Sequence, residues 1–148
     1  FTTGITFISK YGFITGDIEM VNYAKSRYEA NDFGDEFEIE NDHIKAVYTS
    51  AVNFRVGAEY RYDIFRARLG YGHMADPYID TEGMNRSIRT ISGGVGVRTR
   101  NFFADLAIVS NHTEGRRSPY VAPGRPIPDA TLKFNYLTAL LTVGVTFQ

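Results

Sequence analysis

The sequence predicts an all-β chain: seven antiparallel strands of the transmembrane β-barrel class. Three observations lead there. Residues 53–72 alternate strictly in polarity, turn, and alternate again. The connections between such segments are short and long in strict succession. The aromatic residues gather near segment ends, where a membrane-crossing strand meets the interface.

Residues 53–72 set the frame. A turn at Asp63-Ile64 places Tyr62 opposite Phe65. One face then carries Tyr62–Phe65, Tyr60–Ala67, Ala58–Leu69 and Val56–Tyr71, and the other carries Arg61–Arg66, Glu59–Arg68, Gly57–Gly70 and Arg55–Gly72. A soluble two-layer sheet or small soluble barrel would bury the first face, so this hairpin alone is ambiguous. Repetition along the chain favours apolar-out, polar-in strands.

The remaining elements follow in order. Residues 2–9 alternate, with Thr3, Ile5 and Phe7 on one face, and Tyr11-Gly12 makes a turn. Residues 13–23 return with Ile14, Ile18 and Met20 on the apolar face, so that Ile5 is expected opposite Ile18 and Gly4 opposite Glu19. Residues 24–45 are long and polar, with a short helix expected over 41–47. The central hairpin spans 48–73, and a second polar loop covers 74–88. Strand 89–99 carries Ile91, Val95 and Val97 on one face and Ser92, Gly94, Gly96 and Arg98 on the other. After a turn at Arg100-Asn101, residues 102–110 return with Ala104, Leu106 and Ile108 outward and Asp105 inward. Residues 111–131 are the longest loop, and 132–147 the last strand, with Leu137, Ala139, Leu141, Val143, Val145 and Phe147 on its apolar face. All five prolines fall in the expected loops, as a hydrogen-bonded ladder requires.

Composition bounds the function classes. The chain has 148 residues, 43% hydrophobic and 22% charged, with a net charge of −1, which fits one globular unit and makes no case for nucleic acid. There is no cysteine, hence no disulfide framework or thiolate metal site, and no cofactor is expected. No apolar run approaches the length of a membrane helix, whereas a membrane strand needs only about 9–11 residues. Tyr11, Tyr60, Tyr62, Phe65, Phe102 and Phe147, with Phe13, form one girdle at the short-turn end. Tyr23, Tyr48, Tyr71, Phe134 and Tyr136 lie near the opposite rim.

The candidate site is the polar face: Asp17, Glu19, Arg55, Glu59, Arg61, Arg66, Arg68, Arg98 and Asp105, interleaved with glycine. Glu59 and Arg68 are the best cross-strand pair. Arg61 and Arg66 face each other as like charges and need acidic partners from neighbouring strands or from outside this chain. These charges read as a structural network of a hydrated lumen, in preference to a patch for carboxylate ligands, because ions out of water are normally paired. The seven carboxylates between Glu29 and Asp42 read as a solvated loop; their spacing is not that of an EF-hand. His43, His73 and His112 lack the paired spacing of a zinc site. Ser110 and His112 are too close on one strand end to work as nucleophile and base, and no motif supports an enzyme.

The segments 52–62, Phe65-Arg-Ala-Arg-Leu-Gly-Tyr-Gly72 and Ile91-Ser-Gly-Gly-Val-Gly-Val97 resemble the C-terminal half of the FadL/TodX-like family of outer-membrane transporters. Gly12-Phe-Ile-Thr-Gly-Asp-Ile-Glu-Met-Val-Asn-Tyr23 is similar to a strand that precedes a long loop in that family. The resemblance implies a fourteen-stranded barrel with an N-terminal plug. Residues 1–148 would be its second half, with the first half and the plug in a preceding segment. It implies passive uptake of hydrophobic small molecules, such as fatty acids or aromatic hydrocarbons, across the bacterial outer membrane. The expected partners are membrane lipid, that ligand and the outer-membrane assembly machinery. The rival reading is a non-transporting barrel subunit of a secretion or assembly machine, with protein partners in a larger complex. A third, weaker one is a lipid-modifying enzyme. Thr142, Gly144 and Phe147 match the final-strand pattern of the class, whose last element would require one further residue after Gln148, expected to be Phe.

Overall fold

The computed structural model describes residues 1–29, 37–79, 85–117 and 130–146. They form one antiparallel sheet of seven strands in sequence order. The strands are β1 (Thr2–Ser9), β2 (Gly12–Asn22), β3 (Ser50–Tyr62), β4 (Phe65–Met74), β5 (Ile88–Arg98), β6 (Phe102–Arg117) and β7 (Ala130–Val145). Each pairs with the next, and β1 and β7 are the two edges of an unclosed sheet. A 3-10 turn, Tyr23–Lys25, and α1, Glu38–Val47, lie in the β2–β3 connection. The short connections at residues 10–11, 63–64 and 99–101 share one end of the sheet, and the long ones share the other.

The central hairpin has the expected register at every pair from Tyr62↔Phe65 to Arg55↔Gly72. Its turn closes through Asp63, whose φ is +51°, a conformation that aspartate tolerates better than most side chains. The turn at Arg100-Asn101 is also as expected: Thr99 N–H donates to the Phe102 carbonyl at 2.8 Å.

The first hairpin corrects the expectation. Its turn is Lys10-Tyr11, and Gly12 already pairs with Ser9. Ile5 therefore meets Gly16, not Ile18, and Gly4 meets Asp17, not Glu19. The slip is two residues, so every side chain keeps its face. The cause is tertiary. Gly12 has φ +141°, and a methyl group on it would collide with the Glu59 carbonyl of β3. The glycine is needed for the approach of β3 rather than for the turn itself.

Two further bounds differ. Helix α1 starts at Glu38 rather than Asn41, with Glu38 and Glu40 in its first turn, where the helix dipole favours carboxylates. Strand β6 runs on to Arg117, and β7 begins at Ala130, so residues 111–117 and 130–131 are strand where a loop was expected. Their register continues unbroken from Asn111↔Tyr136 to Arg117↔Ala130. Pairs such as His112–Asn135 (2.6 Å) and Glu114–Lys133 (3.6 Å) belong to this overhang, whose mixed polarity hides the two-residue period. Pro119, Pro123, Pro126 and Pro128 lie outside the described residues, as do Phe147 and Gln148.

The sheet curls toward its polar face. Along β4 the apolar positions Phe65, Ala67, Leu69 and Tyr71 are exposed, while Arg66, Arg68, Gly70 and Gly72 between them are half-buried. In a flat single layer both faces would be equally open. Glycines agree: a methyl group at Gly93, on the apolar face, would find ordinary contacts, while one at Gly94 or Gly96, on the polar face, would crowd β6. Phe13 is corrected by the same geometry. It pairs with Glu59 on the concave side and is not part of an outward girdle. Replacing Gly12 by Ala is expected to destabilise the sheet by about 1–3 kcal/mol through its backbone conformation alone, with the steric clash in addition. Urea unfolding, set beside Gly16→Ala, measures the difference.

Candidate functional site

The concave face carries a chain of ion pairs that spans four strands. Register puts Glu59 opposite Arg68, and Arg68 Nε donates to Glu59 Oε2 at 2.6 Å. The other carboxylate oxygen of Glu59 accepts from Arg61 Nε at 2.5 Å, because Arg61 lies two residues along on the same face. Arg68 also reaches past β5: its Nη1 donates to Asp105 Oδ1 on β6 at 2.6 Å. The residues of β5 in between are Gly94, opposite Arg68, and Gly96, opposite Asp105. A methyl group at Gly96 would overlap the Asp105 carboxylate. The missing side chains of β5 let one guanidinium hold carboxylates from both sides.

Further along the face, Arg55 Nε donates to Asp17 Oδ1 across β2 and β3 at 2.9 Å. Asn53 bridges the sheet to a loop: its amide donates to Glu19 Oε2 at 3.0 Å, and its carbonyl accepts the Ala75 N–H at 3.0 Å. Arg61 stacks over the Phe13 ring at 5.6 Å, and Arg98 over Phe103 at 5.2 Å. Arg66 turns to the hairpin end and donates to the carbonyls of Asp63 and Phe65 at 3.3 and 3.2 Å, which relieves its repulsion with Arg61.

Burial grades these contacts. The Glu59 side chain is only 7% exposed, against 39% for Arg68. A carboxylate so removed from water needs full compensation, and two charge-assisted hydrogen bonds supply it. The Arg55–Asp17 pair is open to solvent on both sides, with exposures of 59% and 36%, and contributes at most about 1 kcal/mol. The Glu59–Arg68–Asp105 chain is thus the ion-paired centre of the face, and the charge of Arg68 is spent within it.

The structure places the expected site residues as follows. Asp17, Glu19, Arg55, Glu59, Arg61, Arg66, Arg68, Arg98 and Asp105 share the concave face. The Glu59–Arg68 pair is as expected. The acidic partner that Arg61 needs is Glu59 on its own strand. The Arg68–Asp105 bridge escaped sequence reading. Its signal was the pair of alternate glycines, Gly94 and Gly96, on an intervening strand. Tyr60, Tyr62, Phe65 and Phe102 stand exposed at the short-turn end, and Tyr11 sits in the first turn. Tyr60, Tyr62, Phe65 and Leu141 border a shallow apolar groove over Ala67, Val95 and Ala104.

At the long-loop end two connections are clamped together. Thr49 N–H donates to the Pro77 carbonyl and Ile79 N–H to the Val47 carbonyl, both at 2.8 Å. The rings of Tyr48 and Tyr78 lie 4.9 Å apart within this bridge, and Arg86 covers Tyr78. The Tyr48 hydroxyl titrates above the usual tyrosine value, because it hydrogen-bonds to Tyr78 and because a second phenolate there would repel it. Asp76 accepts from the backbone N–H groups of Tyr78 and Arg86 and secures the turn. Among the described residues no group of three or more His, Asp or Glu side chains could hold a metal ion. Asp32, Asp35 and Glu36 lie outside them.

Comparison with protein-family profiles, with curated proteins and with solved structures finds no match.

A double-mutant cycle with Arg68→Met and Asp105→Asn is expected to give a coupling of about 0.5–3 kcal/mol. Repeated in a Gly96→Ala background, the coupling is expected to fall toward zero, because the methyl group displaces the Asp105 carboxylate. An unchanged coupling would show that the guanidinium does not need the glycine gap.

Proposed function

We propose that this chain forms part of the wall of a bacterial outer-membrane β-barrel that passes hydrophobic small molecules passively. The observation that carries the reading is the division between the two faces of the sheet. Among the described residues the only buried apolar side chain is Ala51. Leu106, Ile108, Leu141, Val143 and Val145 stand exposed on the convex side, away from the ion network, and Leu141 is 70% exposed. An apolar face of this extent is unfavourable in water by about 25 cal/mol per Å². Bilayer hydrocarbon removes that cost while the charged concave face stays hydrated. No helix among the described residues is long and apolar enough to cross a membrane, but strands of 10 to 16 residues from β2 to β7 reach the length a tilted crossing needs.

Strand direction supports a wall completed by other strands. The antiparallel order makes β1 and β7 run the same way. Two copies inserted in the same sense would meet edge to edge as parallel pairs. Antiparallel pairing throughout requires an added segment with an odd number of strands, which suits seven further strands of a fourteen-stranded barrel. Passage of hydrophobic molecules draws on the resemblance to the FadL/TodX-like family and on the concave face, where the central charges are mutually neutralised.

Ala139→Arg, near the middle of β7 on the convex face, is expected to cost about 2–4 kcal/mol in a bilayer, whereas Thr138→Arg beside it on the concave face costs much less. Equal costs would remove the membrane assignment. Deletion of the protein is expected to slow uptake of hydrophobic substrates by cells. Unchanged uptake, together with stable co-purification in a large complex, would replace transport by the subunit reading.

A further inference from the structure

The convex face is not apolar all the way to the long loops. One cross-strand row breaks the pattern. His73 of β4 pairs with Arg89 of β5, Arg89 with His112 of β6, and His112 with Asn135 of β7. The row directly below is Tyr71, Ile91, Ser110 and Leu137, and the rows under it are apolar or glycine down to Phe102 and Val145. On β4 to β7, from Phe102 up to this row, no convex position other than Arg89 carries a lysine, arginine or carboxylate. Arg89 is exposed, and His73 and His112 are half-buried. The next convex pair above is Glu114 and Lys133, which bridge to each other at 3.6 Å. Asn135 Oδ1 accepts from His112 Nδ1 at 2.6 Å, which leaves the Nε2 edge of that ring for a ligand. On the far side of the row the Phe54 ring lies 5.4 Å from that of His73.

We propose that the row of His73, Arg89 and His112 docks the phosphorylated headgroup of an outer-leaflet membrane lipid. The proposal rests on the membrane reading of the sheet and names the lipid chemistry at one rim. The height of the row fits. From Phe102 to His112, β6 advances about 34 Å along the strand. A tilt of about 35–45° reduces this to about 24–28 Å across the membrane, which is the height of the apolar band in such barrels. The row therefore stands where hydrocarbon gives way to headgroups, at the long-loop end, which faces outward in this class. The chemistry fits too. Arg89 brings a charge that does not titrate and a planar fork that matches phosphate. The two imidazoles flank it, each one strand, about 5 Å, away. A guanidinium beside hydrocarbon needs an anion or water, and the row itself holds no carboxylate. A free phosphate would meet the same groups, but the apolar rows directly below favour an anion that carries acyl chains. The surface also stays open in a completed barrel. β4, β5 and β6 are interior strands, so strands added at β1 or β7 leave their convex side uncovered.

The test titrates the complete protein in detergent micelles with the doubly phosphorylated, acylated glucosamine disaccharide of bacterial outer membranes, and with the same lipid stripped of phosphate. Native mass spectrometry counts the bound lipid. The phosphorylated form is expected to bind at least about fivefold more tightly, and this comparison needs no substitution. Arg89→Gln is expected to lower that affinity about fivefold, the effect of one cation near a charged lipid surface. Arg100→Gln, an equal loss of charge in a turn at the other rim, is expected to leave it unchanged. Heat-modifiable gel migration checks that both variants are assembled. Inorganic phosphate at the same concentration is expected not to displace the lipid, and displacement would make the ligand a free ion and overturn the lipid site. Equal binding of the two lipids, or equal effects of the two substitutions, also overturns it. The comparison of Ala139→Arg with Thr138→Arg separates the two readings. If those substitutions cost the same, the membrane reading falls and takes the site with it. If Ala139→Arg is the costlier and the preference for phosphate is absent, the site alone fails.

Discussion

Side chains on a single β-sheet have two directions only, and everything distinctive about this protein follows from how the chain divides its residues between them. Backbone pairing absorbs the hydrogen-bonding groups of the interior strands. It leaves the side chains to decide which face meets which medium. Here one face is apolar and open, and the other is charged, glycine-rich and half shielded by its own curvature. No second layer lies between them and solvent among the described residues, so stability cannot come from a packed interior. It must come from the ladder, from whatever covers the convex face, and from contacts along the concave one.

The concave contacts share a logic of missing side chains. Arg68 touches Asp105 two strands away because Gly94 and Gly96 leave room above β5. Gly12 lets β3 close against β2 beneath Glu59. Bulk at these points would push the charges apart or flatten the sheet. Glycine weakens an isolated strand, so its placement beside buried charges indicates that curvature and ion pairing outweigh local propensity. The same arrangement neutralises the centre of the face.

The loop end is organised differently. The bridge between residues 47–49 and 77–79, the Tyr48–Tyr78 contact and the Asp76 turn tie two long connections into one body. Helix α1 packs beside the Tyr23–Lys25 turn, and Asn41 exchanges two hydrogen bonds with the Tyr28 backbone. Apart from the Asp76–Tyr78 turn, none of these partners is near the other in sequence, and none belongs to a periodic pattern. The amino-acid pattern therefore shows them only as polar loop, with one short helix marked.

What the sequence determined by itself was parity. Alternation assigned the residues of the expected strands to their faces, and tight turns at Asp63-Ile64 and Arg100-Asn101 set two hairpin registers, because pairing across a short turn is a local matter. That makes Glu59–Arg68 legible from the amino-acid sequence alone. Only the tertiary structure decided what crosses a long loop or a third strand. The Asp17–Arg55 pair depends on a β2–β3 register that no turn specifies. The Arg68–Asp105 bridge depends on curvature, and the position of Gly12 depends on the strand behind it. The length of β6 and β7 was hidden because mixed polarity on both faces of the overhang leaves no contrast for a two-residue period to show. The convex row of His73, Arg89 and His112 was hidden because the β4–β5 register crosses a long loop and because His112 lies in that overhang.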